Sequence, residues 1–344
     1  MHVSDTHLHL VELAKEQAVE GFRTADLAGS NPDLPDISDA LIQKNLATVL
    51  RLMETRGTTD AFVSPRAAAM ATHVGDVAQN GRWADLNNSL ILRACQLNPG
   101  RFIPVGMLGQ SSKDPGKAAL HCARQIYAWA EKGFAGFNMD PDGTGGLWNS
   151  KDSFASEVNY SIFGAASDVD KPLILHGSES INPLFPHTAL QYLIADMVAF
   201  VHLMMHGRKL RKEFGNLRFM VPHGGGALGC QKGRWTALAK KNRYLGWMTP
   251  DELLGEGIVF VDGCVYCVQD LLAVLGAVPI DNLLFGSECN GAFPGIQNDA
   301  TGQDADDTKI YFDQVGMGAA DRDRVFRLNS DVVYPGADKW RKAA

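Results

Sequence analysis

Eight short apolar runs, each followed by a longer stretch, constrain this chain more than any other feature. They fall near Val3–His9, Thr59–Ser64, Phe102–Leu108, Gly136–Met139, Pro172–Gly177, Arg218–Pro222, Ile258–Gly263 and Asn282–Ser287. Several, such as Leu173-Ile-Leu-His and Ile258-Val-Phe-Val, are continuously apolar, the pattern of parallel strands covered on both faces. Amphipathic segments at Asp39–Arg56, Leu90–Leu97, Lys117–Glu131 and Leu190–Phe214 lie between them. Eight β-then-α units predict an α/β fold closed as a (β/α)8 TIM barrel, with residues 1–344 forming one domain. An open doubly wound sheet is the alternative, but no G-x-G-x-x-G or phosphate loop supports nucleotide binding. Such a barrel takes about 250 residues. Part of the surplus falls in two insertions, Gly21–Asp36 and Gly291–Asp307, both expected over the rim.

The formal charge of −7 is spread without a long basic run, so nucleic acid and anionic membrane have no electrostatic footprint here. A small anionic carboxylate remains compatible with it. The start, MHVSDTHLHL, lacks the pattern of a signal peptide, which predicts a cytoplasmic protein. The most apolar stretch, Ala189–His206, is broken by Gln191, Asp196 and His202. It is expected to be a buried or subunit-interface helix in a homo-oligomer, since a membrane span needs about 20 predominantly apolar residues. The six cysteines are expected to be free thiols. Cys264-x-x-Cys267 has the spacing of a redox or zinc pair but lacks a second pair at zinc-site distance.

Polar residues collect where the strands end. The first ends at His7 and His9, the second at Ser64-Pro65-Arg66, the fourth at Asp140, the fifth at His176, the sixth at His223, the seventh near Asp262 and the eighth at Glu288. A barrel of this kind builds its active site from strand C-termini. His7-Leu8-His9 puts two imidazoles on one face, because strand side chains alternate with period two. Alone, each histidine has an ordinary structural reading. Jointly, four histidines and a carboxylate at four strand tips predict a divalent metal, bound through neutral imidazole nitrogens and a carboxylate oxygen. The three glycines after His223 are expected to let backbone approach a ligand closely. His2, His73, His121, His202 and His206 do not share that position, and His187 falls in a rim loop.

At these residues the chain resembles the amidohydrolase superfamily. DTHLHL, LILHGS, VPHGGGALG and FGSE are similar to the branch containing the aminocarboxymuconate-semialdehyde decarboxylases. Most of that branch ends strand eight with aspartate. Glu288 instead resembles the 4-oxalomesaconate hydratases and a related carbon–carbon hydrolase of lignin-biphenyl breakdown. The similarity extends through SPRAAAMATHVGD, WADLNNSLI, GFNMDPDGTGGLW, QYLIAD, DGCVY, DDTKIYFD and LNSDVVYP.

The resemblance implies a mononuclear site, Zn2+ or alternatively Mn2+, held by His7, His9, His176 and Glu288. His223 would stand beside it as ligand or acid/base. It further implies substrate contacts from Arg66, Arg234 and His187, a substrate loop at Gly143–Trp148, and a catalytic role for Tyr192 with Glu288 and His223. Arginine presents a planar fork suited to carboxylates, and tyrosine can protonate an oxyanion. The implied reaction is addition of water to the double bond of an unsaturated oxo-tricarboxylate in aromatic-acid degradation. Carbon–carbon hydrolysis or decarboxylation of a ring-cleavage product is the alternative.

Overall fold

The computed structural model describes residues 1–143, 154–178, 189–289, 291, 295–299 and 301–342. Eight strands form one parallel sheet in chain order: β1 (Ser4–His9), β2 (Asp60–Ser64), β3 (Phe102–Met107), β4 (Gly136–Met139), β5 (Leu173–Leu175), β6 (Phe219–Val221), β7 (Val259–Asp262) and β8 (Leu283–Leu284). Each lies inside its expected segment. Helices fill the connections, as parallel neighbours require. The sheet is a (β/α)8 barrel.

β8 pairs with β7 over only Leu283 and Leu284, shorter than Asn282–Ser287. Beyond that point the chain turns its hydrogen bonds to β1: Thr6 N donates to Phe285 O at 2.8 Å and Glu288 N to His7 O at 2.7 Å. A parallel bridge joins Leu8 to Cys289. These bonds close the barrel between its first and last strands.

Strand alternation divides the apolar residues into two cores. Phe62, Ile103, Ile174, Met220 and Phe260 belong to one cluster. Their neighbours on the same strands, such as Ala61, Val63, Leu173, Phe219 and Val259, pack in a larger cluster with the surrounding helices. Val333, Tyr334 and Ala337 from the C-terminal segment join the first cluster. Tyr334 is fully buried, with its ring 4.3 Å from that of Phe62. Arg341 fastens the same segment to the start of two strands, donating to Ser4 Oγ at 2.9 Å and Asp60 Oδ2 at 3.0 Å. The C-terminal segment therefore plugs the end where strands begin, leaving the other end for chemistry.

The helix expected at Asp39–Arg56 has those bounds, with Ser38 capping its start and Gly57 in the left-handed conformation after its end. Two expectations change. The helix read as Leu90–Leu97 begins at Val77, started by a capping box between Asp76 and Gln79. Gly21–Leu27, assigned to a rim insertion, is the second half of a helix, Gln17–Leu27, that buries Val19 and Phe22. The Gly143–Trp148 turn lies outside the described residues beyond Gly143, and the insertion after β8 is described only in part. Among the described residues, no helix is long and apolar enough to cross a membrane. All six cysteines are free.

Candidate metal centre

His7, His176, His223 and Glu288 each bring a donor atom within 4.8 Å of the other three. His9 sits among them, its Nε2 3.2 Å from that of His7 and 3.3 Å from that of His176. The strand-tip histidines and Glu288 thus converge at one end of the barrel, as the strand pattern predicts.

The outward ring nitrogens decide what the inward ones can do. His7 Nδ1 donates to Asp262 Oδ2 at 2.8 Å, and His176 Nδ1 to the Gly177 carbonyl at 3.0 Å. Those bonds place the protons on Nδ1 and leave bare lone pairs on both Nε2 atoms. The two lone pairs converge around His9 Nε2. A proton there satisfies one of them well, whereas a cation satisfies all three nitrogens. His9 Nδ1 is held at 2.9 Å from Ser64 Oγ, which also accepts from Asn138 Nδ2. Rings fixed by outer hydrogen bonds with lone pairs inward suit a divalent ion. The donor set fits the group it is expected to hold.

The electrostatics point the same way. Burial, and then the neighbouring His7, pull His9 down to about 3. His176 is held well below the usual imidazole range by burial and the adjacent rings. Neutral imidazole is the form that binds metal. His223 behaves oppositely. Burial works against its charged form, but Asp196, and after it Glu288, outweigh burial and hold the ring well above the usual range. Burial would raise Glu288, yet the charged His223 beside it keeps it ionised.

Asp196 accepts from His223 Nδ1 at 2.6 Å, while His223 Nε2 faces Glu288 Oε2 at 3.5 Å. Asp262 joins the two sides of the site. Its Oδ2 accepts from His7 Nδ1, and its Oδ1 accepts from the amides of His223 at 2.8 Å and Cys264 at 3.1 Å. His223 and Glu288 both have φ +54°, a left-handed conformation costing on the order of 1–3 kcal/mol for such residues. Asp5 holds the second of these turns, accepting from the amides of His7 at 3.0 Å and Ser287 at 3.1 Å and from the Ser287 hydroxyl.

The three glycines after His223 serve a purpose other than the expected one. All have positive φ, and a Cβ on Gly226 would lie 2.8 Å from Met197 N, one on Gly224 2.7 Å from Val274. They make a tight turn against protein groups, so their closeness is to neighbouring elements.

The remaining sequence candidates are placed unevenly. Arg66 stands two residues after the end of β2, half-buried, and its charge helps depress His9. Tyr192 lies one helical turn before Asp196 and therefore on the same face of the helix Ala189–Glu213. Its backbone approaches Gly177, beside His176. Arg234 is exposed on the helix Leu228–Lys241. His187 lies outside the described residues. Three groups escaped notice as site residues. Asp196 looked like a blemish in an apolar helix, and Asp5 like part of a strand. Tyr266, four residues after Asp262, donates to Glu288 Oε2 at 2.9 Å. Cys264-x-x-Cys267 is no bonded pair: Cys264 is buried, and Cys267 Sγ accepts from Asp270 N at the start of a helix.

The amidohydrolase family model matches residues 4–336. A 2-keto-4-carboxy-3-hexenedioate hydratase from Sphingobium sp. is 36% identical, covering 100% of this chain and 99% of that protein. The crystal structure of a 4-oxalomesaconate hydratase from Rhodopseudomonas palustris superposes with a TM-score of 0.84 at 29% identity, covering 99% of this chain and 98% of that one. More distant structures share the fold, among them a Metarhizium anisopliae IDCase, with a TM-score of 0.71 at 18% identity over 96% of each chain. With a family match across nearly its whole length and its strand-tip histidines and glutamate gathered at one rim, this chain belongs to the amidohydrolase family.

Proposed function

We propose that this protein is a metal-dependent hydratase that adds water across the double bond of an unsaturated oxo-tricarboxylate of the 4-oxalomesaconate type. The observation that carries this reading is the full-length similarity to a hydratase at 36% identity. The site chemistry agrees with it. Fold alone does not choose among hydration, carbon–carbon hydrolysis and decarboxylation.

We assign His7, His9, His176 and Glu288 to a single ion, with His223 beside it. A donor set dominated by imidazole favours zinc, with manganese as the alternative. The ion would supply Lewis acidity, bringing the acidity of a water toward about pH 7 and polarising a substrate oxygen. Arg66 binds a substrate carboxylate through its guanidinium fork, and Arg234 and His187 are the further substrate contacts. Glu288 removes a proton from the water. The water oxygen bonds to the alkene carbon β to the oxo group, and the π electrons move through the α carbon onto the oxo oxygen as an enolate. The enolate electrons then take a proton at the α carbon, from His223, kept charged by Asp196, or from Tyr192, and the oxo group is restored. The product is a hydroxy acid with every substrate carbon retained.

The test follows the ultraviolet spectrum of 4-oxalomesaconate with protein purified without chelator. Metal-dependent loss of conjugated absorbance, with a product one water heavier, supports the hydratase. Loss of carbon dioxide or scission into two acids would replace it with the decarboxylase or carbon–carbon hydrolase. Glu288→Gln should lower kcat by about 10²–10⁴-fold, the usual contribution of a general base.

A further inference from the structure

Glu288 is fixed from two directions. Its backbone is held in the left-handed conformation by the bond to His7 O and by the Asp5–Ser287 contacts on the preceding residue. Its side chain is held by Tyr266, whose hydroxyl donates to Oε2 at 2.9 Å from the loop after β7. His223 Nε2 faces the same oxygen at 3.5 Å. Two groups therefore share one oxygen, Oε2. A carboxylate serving both as ligand and as base must keep its two oxygens distinct. Free rotation of the terminal torsion, which is broad and twofold, would exchange them.

Tyr266 is half-buried in the loop after β7, two residues beyond the buried Cys264. A phenol keeps its proton at neutral pH, so it donates toward the carboxylate.

We propose that Tyr266 is a positioning residue that sets which oxygen of Glu288 faces the reacting water. This rests on the hydratase reading for its substrate but not for its geometry. Removing the hydroxyl leaves the ion, the base and the substrate arginine in place, yet lets the carboxylate rotate. Turnover should suffer while substrate binding does not.

The experiment compares wild type and Tyr266→Phe as metal-loaded proteins. Tyr266→Phe should retain full metal content and a KM within about threefold, with kcat lower by about 10–100-fold, the range for outer-shell partners of metal ligands. In the cobalt-substituted proteins, Tyr266→Phe should shift the visible bands, because the carboxylate meets the ion differently. Unchanged bands together with kcat within twofold of wild type would overturn the proposal, as would metal loss in proportion to activity. If wild type does not turn over 4-oxalomesaconate, the substrate reading fails, and the cobalt spectra alone decide the role of Tyr266.

Discussion

The amide of Glu288 donates to the carbonyl of His7 across 2.7 Å, locking the last strand's carboxylate in register with the first strand's imidazoles. Asp5 braces that contact by accepting from His7 N, Ser287 N and the Ser287 hydroxyl. Replacing Asp5 with alanine strands three donors in a buried place, and each unsatisfied group costs about 1–3 kcal/mol. Asp5→Ala should therefore lower the urea midpoint substantially and reduce bound metal per chain. A midpoint and metal content equal to wild type would show that the brace is not needed.

Asp196 supplies the charge that keeps His223 protonated, and asparagine retains the shape without the charge. Asp196→Asn should lower kcat by about 10–100-fold, with KM changed by less than about threefold. Steady-state kinetics at fixed metal content checks this. A rise in KM alone would mean that Asp196 serves substrate binding.

Removing the ion should loosen the fold. A ligand that binds the folded chain only, present at 100 times its Kd, stabilises it by about 2.7 kcal/mol. Dialysis against chelator should therefore lower Tm by several degrees, and readdition of zinc should restore it. Scanning calorimetry on the two forms makes the comparison. Equal transitions would argue against an ion in this cluster.

Asp140, at the end of β4, is pushed up to about 8 by burial and then by Asp142, from an ordinary 3.8. Between those values the folded chain keeps a proton that the unfolded chain has lost. Stability must then fall as pH rises through that window. Asp140→Asn mimics the protonated form: its oxygen can accept from Asp142 N, and its amide can face Thr72 Oγ1. The variant should flatten the decline between pH 5 and 8, seen as urea midpoints that converge with wild type at low pH and exceed it at high pH. Parallel profiles would place the proton elsewhere.

How far the sequence foretold this molecule depends on where packing and hydrogen bonding part company. Continuous apolar runs made the strands readable, and period-two spacing put His7 and His9 on one face. The helix beginning at Val77 was half hidden because Asn80 and Asn88 interrupt its apolar stripe. Both are buried for their hydrogen bonds: Asn88 exchanges two with the Met107 backbone, and Asn80 donates to Thr72 O and Gln110 O. A polar residue whose partner is another element's backbone leaves no periodic trace. The same holds for Asp196, Asp5 and Tyr266. Their partners are 27, 282 and 22 residues away, so only the closed barrel reveals their work.

That closure would give a bound ion a second consequence. An ion shared by His7 and Glu288 would clasp residues far apart in the sequence, enclosing most of the chain in one loop. A cross-link of such span removes many conformations from the unfolded ensemble, since closure entropy grows with the length enclosed. The complete set of donors also does not exist during synthesis until Glu288 has been made. A filled site would thus certify that two distant stretches of the chain, around His7 and around Glu288, have met.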